Sequence, residues 1–117
     1  MMQLILIGTG GAVGSILRYL VQKSFSAKFP VGTLSVNLIG CFVIGLLWAI
    51  SVKGMPESMR YLLMTGFCGG FTTFSAFGLE TVQMMAYGRW TNSFLYILAS
   101  VTGGIMATFF GYKILSV

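Results

Sequence analysis

An all-α integral membrane domain with four spanning helices is what this sequence predicts, and three observations predict it. Of its 117 residues, 56% are hydrophobic and only 8% charged, too few charges to cover a soluble surface. Apolar stretches run over residues 4–20, 31–52, 59–87 and 91–115, each near or above the ~20 residues that a helical span needs. The breaks between them carry turn punctuation: Ser24 to Pro30 with Lys23 before it and Lys28 within it, Lys53 to Ser58 with Gly54 and Pro56, and Gly88-Arg89-Trp90. Helices at about 3–23, 31–52, 59–87 and 91–115 nearly exhaust a single membrane domain over residues 1–117.

The first span is expected to stay in the mature protein, because no Lys or Arg precedes its apolar run as a cleavable leader would require. Cys41 and Cys68 both fall inside spans at a spacing that matches no metal motif, so they are expected to be unbridged, buried small hydrophobes. A net charge of +5 raises nucleic acid as a partner, but the basic residues are scattered singly at span ends, which excludes a nucleic-acid footprint. They read instead as anchors in the lipid bilayer. Tyr19, Trp48, Tyr61, Tyr87, Trp90 and Tyr112 also lie near span ends, where amphipathic rings favour the headgroup level.

Four spans place the N-terminus, second loop and C-terminus on one side with Lys53, Arg60 and Lys113. The other side holds Arg18, Lys23, Lys28 and Arg89. Orientation follows the Lys/Arg difference between sides, so this near-tie predicts insertion both ways and makes an antiparallel homodimer possible. Gly10 and Gly14, and Gly103, Ala107 and Gly111, recur every four residues and allow close helix approach, within one chain or between two.

Polarity tolerated at membrane depth is where function is expected. Asn37 lies a third of the way into the second span, with Thr33 and Cys41 on its face. Its amide serves either an interhelical hydrogen bond or a passing small anion. In the third span the run from Gly66 to Gly78 sets Gly69-Gly70 before Thr72-Thr73, a poor helix that predicts a break near 69–75. Interrupted backbone at that depth must be buried in protein or line a wet cavity, and its carbonyls suit a hard cation. Sodium is the expected ion, since no Asp is present and neither Glu lies in the break. Phe74 and Phe77 share a face; they either pack or turn positive ring edges toward an anion. Tyr96, Ser100, Gly104 and Thr108 form a stripe of hydroxyl and small residues along the last span, as path or as packing.

Taken together, three segments resemble the Fluc, or CrcB, family of fluoride channels over essentially the whole chain. They are Gly10-Gly11-Ala12-Val13-Gly14-Ser15-Ile16-Leu17-Arg18-Tyr19, Gly32-Thr33-Leu34-Ser35-Val36-Asn37-Leu38-Ile39-Gly40, and the glycine, threonine and phenylalanine run from Gly66 to Phe77. The resemblance implies a dual-topology antiparallel homodimer with two fluoride pathways and a structural sodium ion at the interface. It further implies passive export of cytoplasmic fluoride, relieving its toxicity, from the plasma membrane or a cell's inner membrane. Carried onto matching positions, Asn37 would donate to fluoride and Phe74 and Phe77 would be the pore aromatics. Thr33, Ser75, Tyr96 and Ser100 would be auxiliary polar positions, and Arg18 would sit toward a vestibule. The backbone carbonyls of Gly69 and Thr72 would hold the sodium, and Glu80 would be a membrane-buried acid beyond the break. Ala76 stands where the family often has threonine, and Gly104 where some members carry serine.

The competing class is a small multidrug-type, proton-coupled transporter of the same size. It needs a titratable carboxylate at membrane depth, for which Glu80 is the one candidate. A non-transporting membrane subunit leaves Asn37 and the interrupted third span without a purpose. With no His, no Asp and two Glu, the chain offers no acid–base or nucleophilic constellation, so an enzyme is not expected.

Overall fold

The structure is a computed structural model that describes residues 1–25 and 29–116, and Lys28 of the charge count lies outside the described residues. The described chain is helical. Helix α1 covers Met2–Lys23 and α2 covers Val31–Val52. The third span, Glu57–Ala86, is assembled from α3 (Glu57–Met59), a π-helix (Arg60–Cys68), α4 (Gly69–Phe71) and α5 (Phe74–Ala86). Helix α6, Trp90–Leu115, completes the set. All four spans are long and apolar enough to cross a membrane, which makes this a multi-pass membrane protein.

Two parallel pairs form the body, and glycines set their spacing. Gly10 lies against Leu62, Gly66 and Phe67, and Gly14 one turn later against Phe67, Gly70 and Phe71. Both sequences therefore advance together, and α1 runs parallel to the third span. An added Cβ on Gly14 would stand 2.8 Å from the Phe71 amide nitrogen and closer still to the Phe67 carbonyl, so only hydrogen fits. The second pair is α2 with α6: Gly103 meets Leu38, Gly45 meets Thr108 and Tyr112, and Gly111 meets Phe42 and Leu46. Gly10, Gly14, Gly103 and Gly111, left open above between one chain and two, are all used within this chain.

Helices α5 and α6 are joined by a tight reversal. Arg89 N bonds Met84 O at 2.7 Å and Gly88 N bonds Met85 O at 3.0 Å, while Gly88 takes φ +77°. This is the paired-bond, left-handed helix stop that glycine adopts without a Cβ penalty. Ser93 then donates to Thr81 O at 3.4 Å, fixing α6 antiparallel to α5.

Between α4 and α5 the backbone changes character. Thr72 has φ −86°, ψ 158° and Thr73 has φ −148°, ψ 122°, both extended. Directly upstream, the nine-residue π-helix widens the turn; such segments are rare and gather at functional sites.

Candidate functional site

The two extended threonines interrupt the ladder in which each carbonyl takes the amide four residues on. Thr73 N donates to Asn37 Oδ1 at 2.8 Å instead of to Gly69 O, and Ala76 N donates to Thr73 Oγ1 at 3.1 Å instead of to Thr72 O. Gly70 O receives Arg18 Nε at 3.0 Å and Ser15 Oγ at 3.4 Å. Asn37 completes a reciprocal pair by donating Nδ2 to Thr73 O at 3.0 Å. An amide nitrogen has two hydrogens, so one N–H of Asn37 is left for another acceptor. The side chain from α2 thus holds the backbone of the third span in its extended form and still presents a donor.

Thr73 is also the N-cap of α5 through that bond from Ala76 N, and its hydroxyl lies 3.3 Å from Ser75 Oγ. A 13-residue helix consequently starts at Phe74, within the third span, where its positive end favours negative charge.

A cavity of about 550 Å³ opens against this point between α2, the third span and α6. Asn37, Gly69, Thr72, Phe74, Phe77 and Ser100 of the residues singled out above line it, joined by Thr73, Gly104 and Thr108. Phe74 is 83% exposed at its edge and stands 5.6 Å, ring centre to ring centre, from Phe77. The Ser100 hydroxyl is buried without a hydrogen-bond partner among the described residues. At Gly104, an added Cβ would come 3.4 Å from Cys41 Sγ, so the thiol already occupies the space beside that position.

Thr33 and Tyr96 are placed elsewhere, in a part-buried chain of hydrogen bonds. Gln22 Nε2 donates to Thr33 Oγ1 at 3.0 Å, Thr33 Oγ1 donates to Glu80 Oε2 at 2.9 Å, and Tyr96 OH donates to Glu80 Oε1 at 3.0 Å. Thr33 is 1% and Tyr96 0% exposed. The Phe77 ring bridges the two groups: it lines the cavity and its centre lies 5.1 Å from the Tyr96 ring. Ser75 is exposed and outside the cavity. Arg18, expected toward a vestibule, reaches along α1 to the Gly70 carbonyl, in the direction that helical side chains lean. Glu80 does not line the cavity, and both its carboxylate oxygens are engaged, which weighs against the coupled-transporter alternative.

Sequence reasoning missed the Asn37–Thr73 pair, Gln22 and the Ser15–Arg18 contact with Gly70. The available signal was the four-residue register of Gly10 and Gly14, which carries Ser15 and Arg18 to the third span once the pairing of spans is known.

Comparison with known proteins places this arrangement. The family described as CrcB-like protein, Camphor Resistance (CrcB), matches residues 5–112. A protein of Chlorobium phaeobacteroides (strain BS1) named fluoride-specific ion channel FluC is 44% identical over 116 residues, covering 95% of this chain and 91% of that protein. A protein of the same name from Leptospira interrogans serogroup Icterohaemorrhagiae serovar copenhageni (strain Fiocruz L1-130) is 47% identical over 114 residues, covering 92% and 90%. The match runs through all four spans and through the Asn37 and Gly66–Phe77 segments, and the chain belongs to the CrcB family.

Proposed function

We propose that this protein is a fluoride-selective channel, not an enzyme, through which cytoplasmic fluoride leaves passively and its toxicity is relieved. The observation that carries this reading is the convergence at one cavity of Asn37 with its spare N–H, the first turn of α5, and Ser100, whose buried hydroxyl has no partner among the described residues. Fluoride holds its water tightly, so a path must offer many neutral donors without trapping the ion. Amide, hydroxyl and the positive edges of Phe74 and Phe77 meet that need, and no Lys or Arg among the described residues lines the cavity. The name of the relatives supports fluoride as the anion.

The third helix is, in this reading, broken at membrane depth by Thr72 and Thr73, and the two sides of the break divide the work. The carbonyls of Gly69 and Thr72 lose their helical amides and suit a structural sodium ion. Sodium bound there would offset the partial negative charge at the end of α4. The start of α5 faces the anion. Exposure of Phe74 beside an open cavity supports a second copy as cover, giving an antiparallel homodimer with two pathways in a plasma or inner membrane.

Liposomes loaded with fluoride or chloride test the main claim by ion-selective electrode. Fluoride efflux without chloride efflux is expected; equal release of both, or of neither, would defeat it. Phe74→Ile and Phe77→Ile should each slow fluoride about tenfold, the worth of ~1.4 kcal/mol of ring contact. Unchanged efflux in both would return the rings to packing. For topology, Arg18 sits on Gly70 O rather than at a span end, which brings the two sides' basic residues closer still to balance. A C-terminal tag should be reached by protease from both faces of the membrane in comparable amounts. Protection of every tag on one face would remove dual topology.

A further inference from the structure

The two cysteines have no part in the reading above, yet both line the same cavity. Cys41 comes from α2, one helical turn beyond Asn37, and Cys68 from the end of the π-helix. Both are free thiols, and Thr72 links their neighbourhoods: its hydroxyl donates to the Cys68 carbonyl at 2.9 Å and its methyl packs on Gly40, the residue before Cys41. Met64 adds a thioether to the same wall. No group of three or more His, Cys, Asp or Glu able to hold a metal occurs among the described residues, so the set does not supply the four ligands of structural zinc. Two thiols with a thioether nearby, in a largely apolar wall, suit a soft cation that accepts two sulfurs and leaves a neutral complex.

We propose that Cys41 and Cys68 form a bis-thiolate site for a soft, thiophilic divalent cation of the mercury(II) type, one ion per chain. Binding replaces two S–H bonds by two S–metal bonds. Both protons pass to solvent, and no oxidation state changes. The bound ion stands against the cavity wall one turn from Asn37 and obstructs the anion path. That obstruction rests on the proposed function, whereas the binding does not.

The test uses the full chain in detergent with mercury(II) alone, followed by alkylation of the thiols that remain in the native state and a count of the alkyl groups added, with the metal-free chain as reference. One equivalent should remove both thiols of the wild type and release two protons. Loss of one thiol per equivalent, with a second equivalent needed for the other, would overturn the site. Cys41→Ser and Cys68→Ser should each give up mercury to a competing monothiol at a concentration lower than the wild type's by roughly 100-fold or more, since losing a ligand costs at least as much as the roughly 10–100-fold of losing a ligand's supporting partner. Equal retention by either variant would also overturn it. The thiol count needs no variant and no flux, so a channel that fails to conduct fluoride would leave this result standing.

Discussion

Gly14→Ala is expected to loosen the fold by about 1–3 kcal/mol, and Gly14→Leu to prevent recovery of a discrete particle in detergent. The added methyl points at the Phe67 carbonyl and the Phe71 amide, 2.8 Å from the latter. These are backbone atoms of the third span, which no rotamer change can move aside, so α1 must be pushed away; overpacking of this kind costs roughly 1–3 kcal/mol for the smallest addition. Separation at Gly14 also withdraws Ser15 and Arg18 from Gly70 O, leaving a carbonyl at the interruption without its donors. Gly8 is the internal control, since a Cβ there meets nothing within 4 Å in the chain. Gly8→Ala should be neutral or stabilising by up to ~1 kcal/mol, the helix propensity of alanine over glycine. Thermal unfolding in detergent, followed by monodisperse elution, gives both numbers. Equal melting points for Gly14→Ala and wild type would mean that the α1 contact is not backbone against backbone.

The four spans were legible because a membrane enforces them: few charges, long apolar runs and turn residues between are a composition signal that needs no knowledge of partners. The pairing of those spans was not. Glycines at 10, 14, 103 and 111 announce close approach but not against what, since a Gly stripe serves an internal and an external neighbour equally well. The site divides the same way. Asn37 was conspicuous because an amide in hydrocarbon demands a partner, but that the partner is the backbone of Thr73, 36 residues away, depends on the register of α2 against the third span. The four-residue stripe of α6 shows the limit of periodicity. Ser100, Gly104 and Thr108 reach the cavity, whereas Tyr96, in the same row, is turned to Glu80 by a carboxylate supplied from α5. Arg18 was placed toward a vestibule by the resemblance alone, while the Gly70 carbonyl that holds it could be known only from the interruption beside it.

Asn37→Leu should lower fluoride efflux from liposomes by a hundredfold or more, the largest loss expected of any single side chain here. Leucine keeps the approximate volume and removes two functions together. The spare N–H, which would donate to an anion, is worth about 1.5–3 kcal/mol as a hydrogen bond to a charged group, or roughly ten- to a hundredfold. The clamp on Thr73 is lost as well, so Thr73 N–H forfeits its acceptor and Thr73 O a donor, at about 1–3 kcal/mol for a buried group left unsatisfied. Once released, Thr73 can return its amide to Gly69 O, and a continuous helix would erase both the start of α5 and the freed carbonyls upstream. Ser100→Ala separates the two functions, because Ser100 lines the cavity and its buried hydroxyl has no partner to lose. Its melting temperature should hold or rise while efflux falls about tenfold, the worth of one weaker donor. Asn37→Leu should lower both. If Asn37→Leu lowers the melting temperature yet conducts fluoride within twofold of wild type, Asn37 is a clamp on the third span and the ion takes another route.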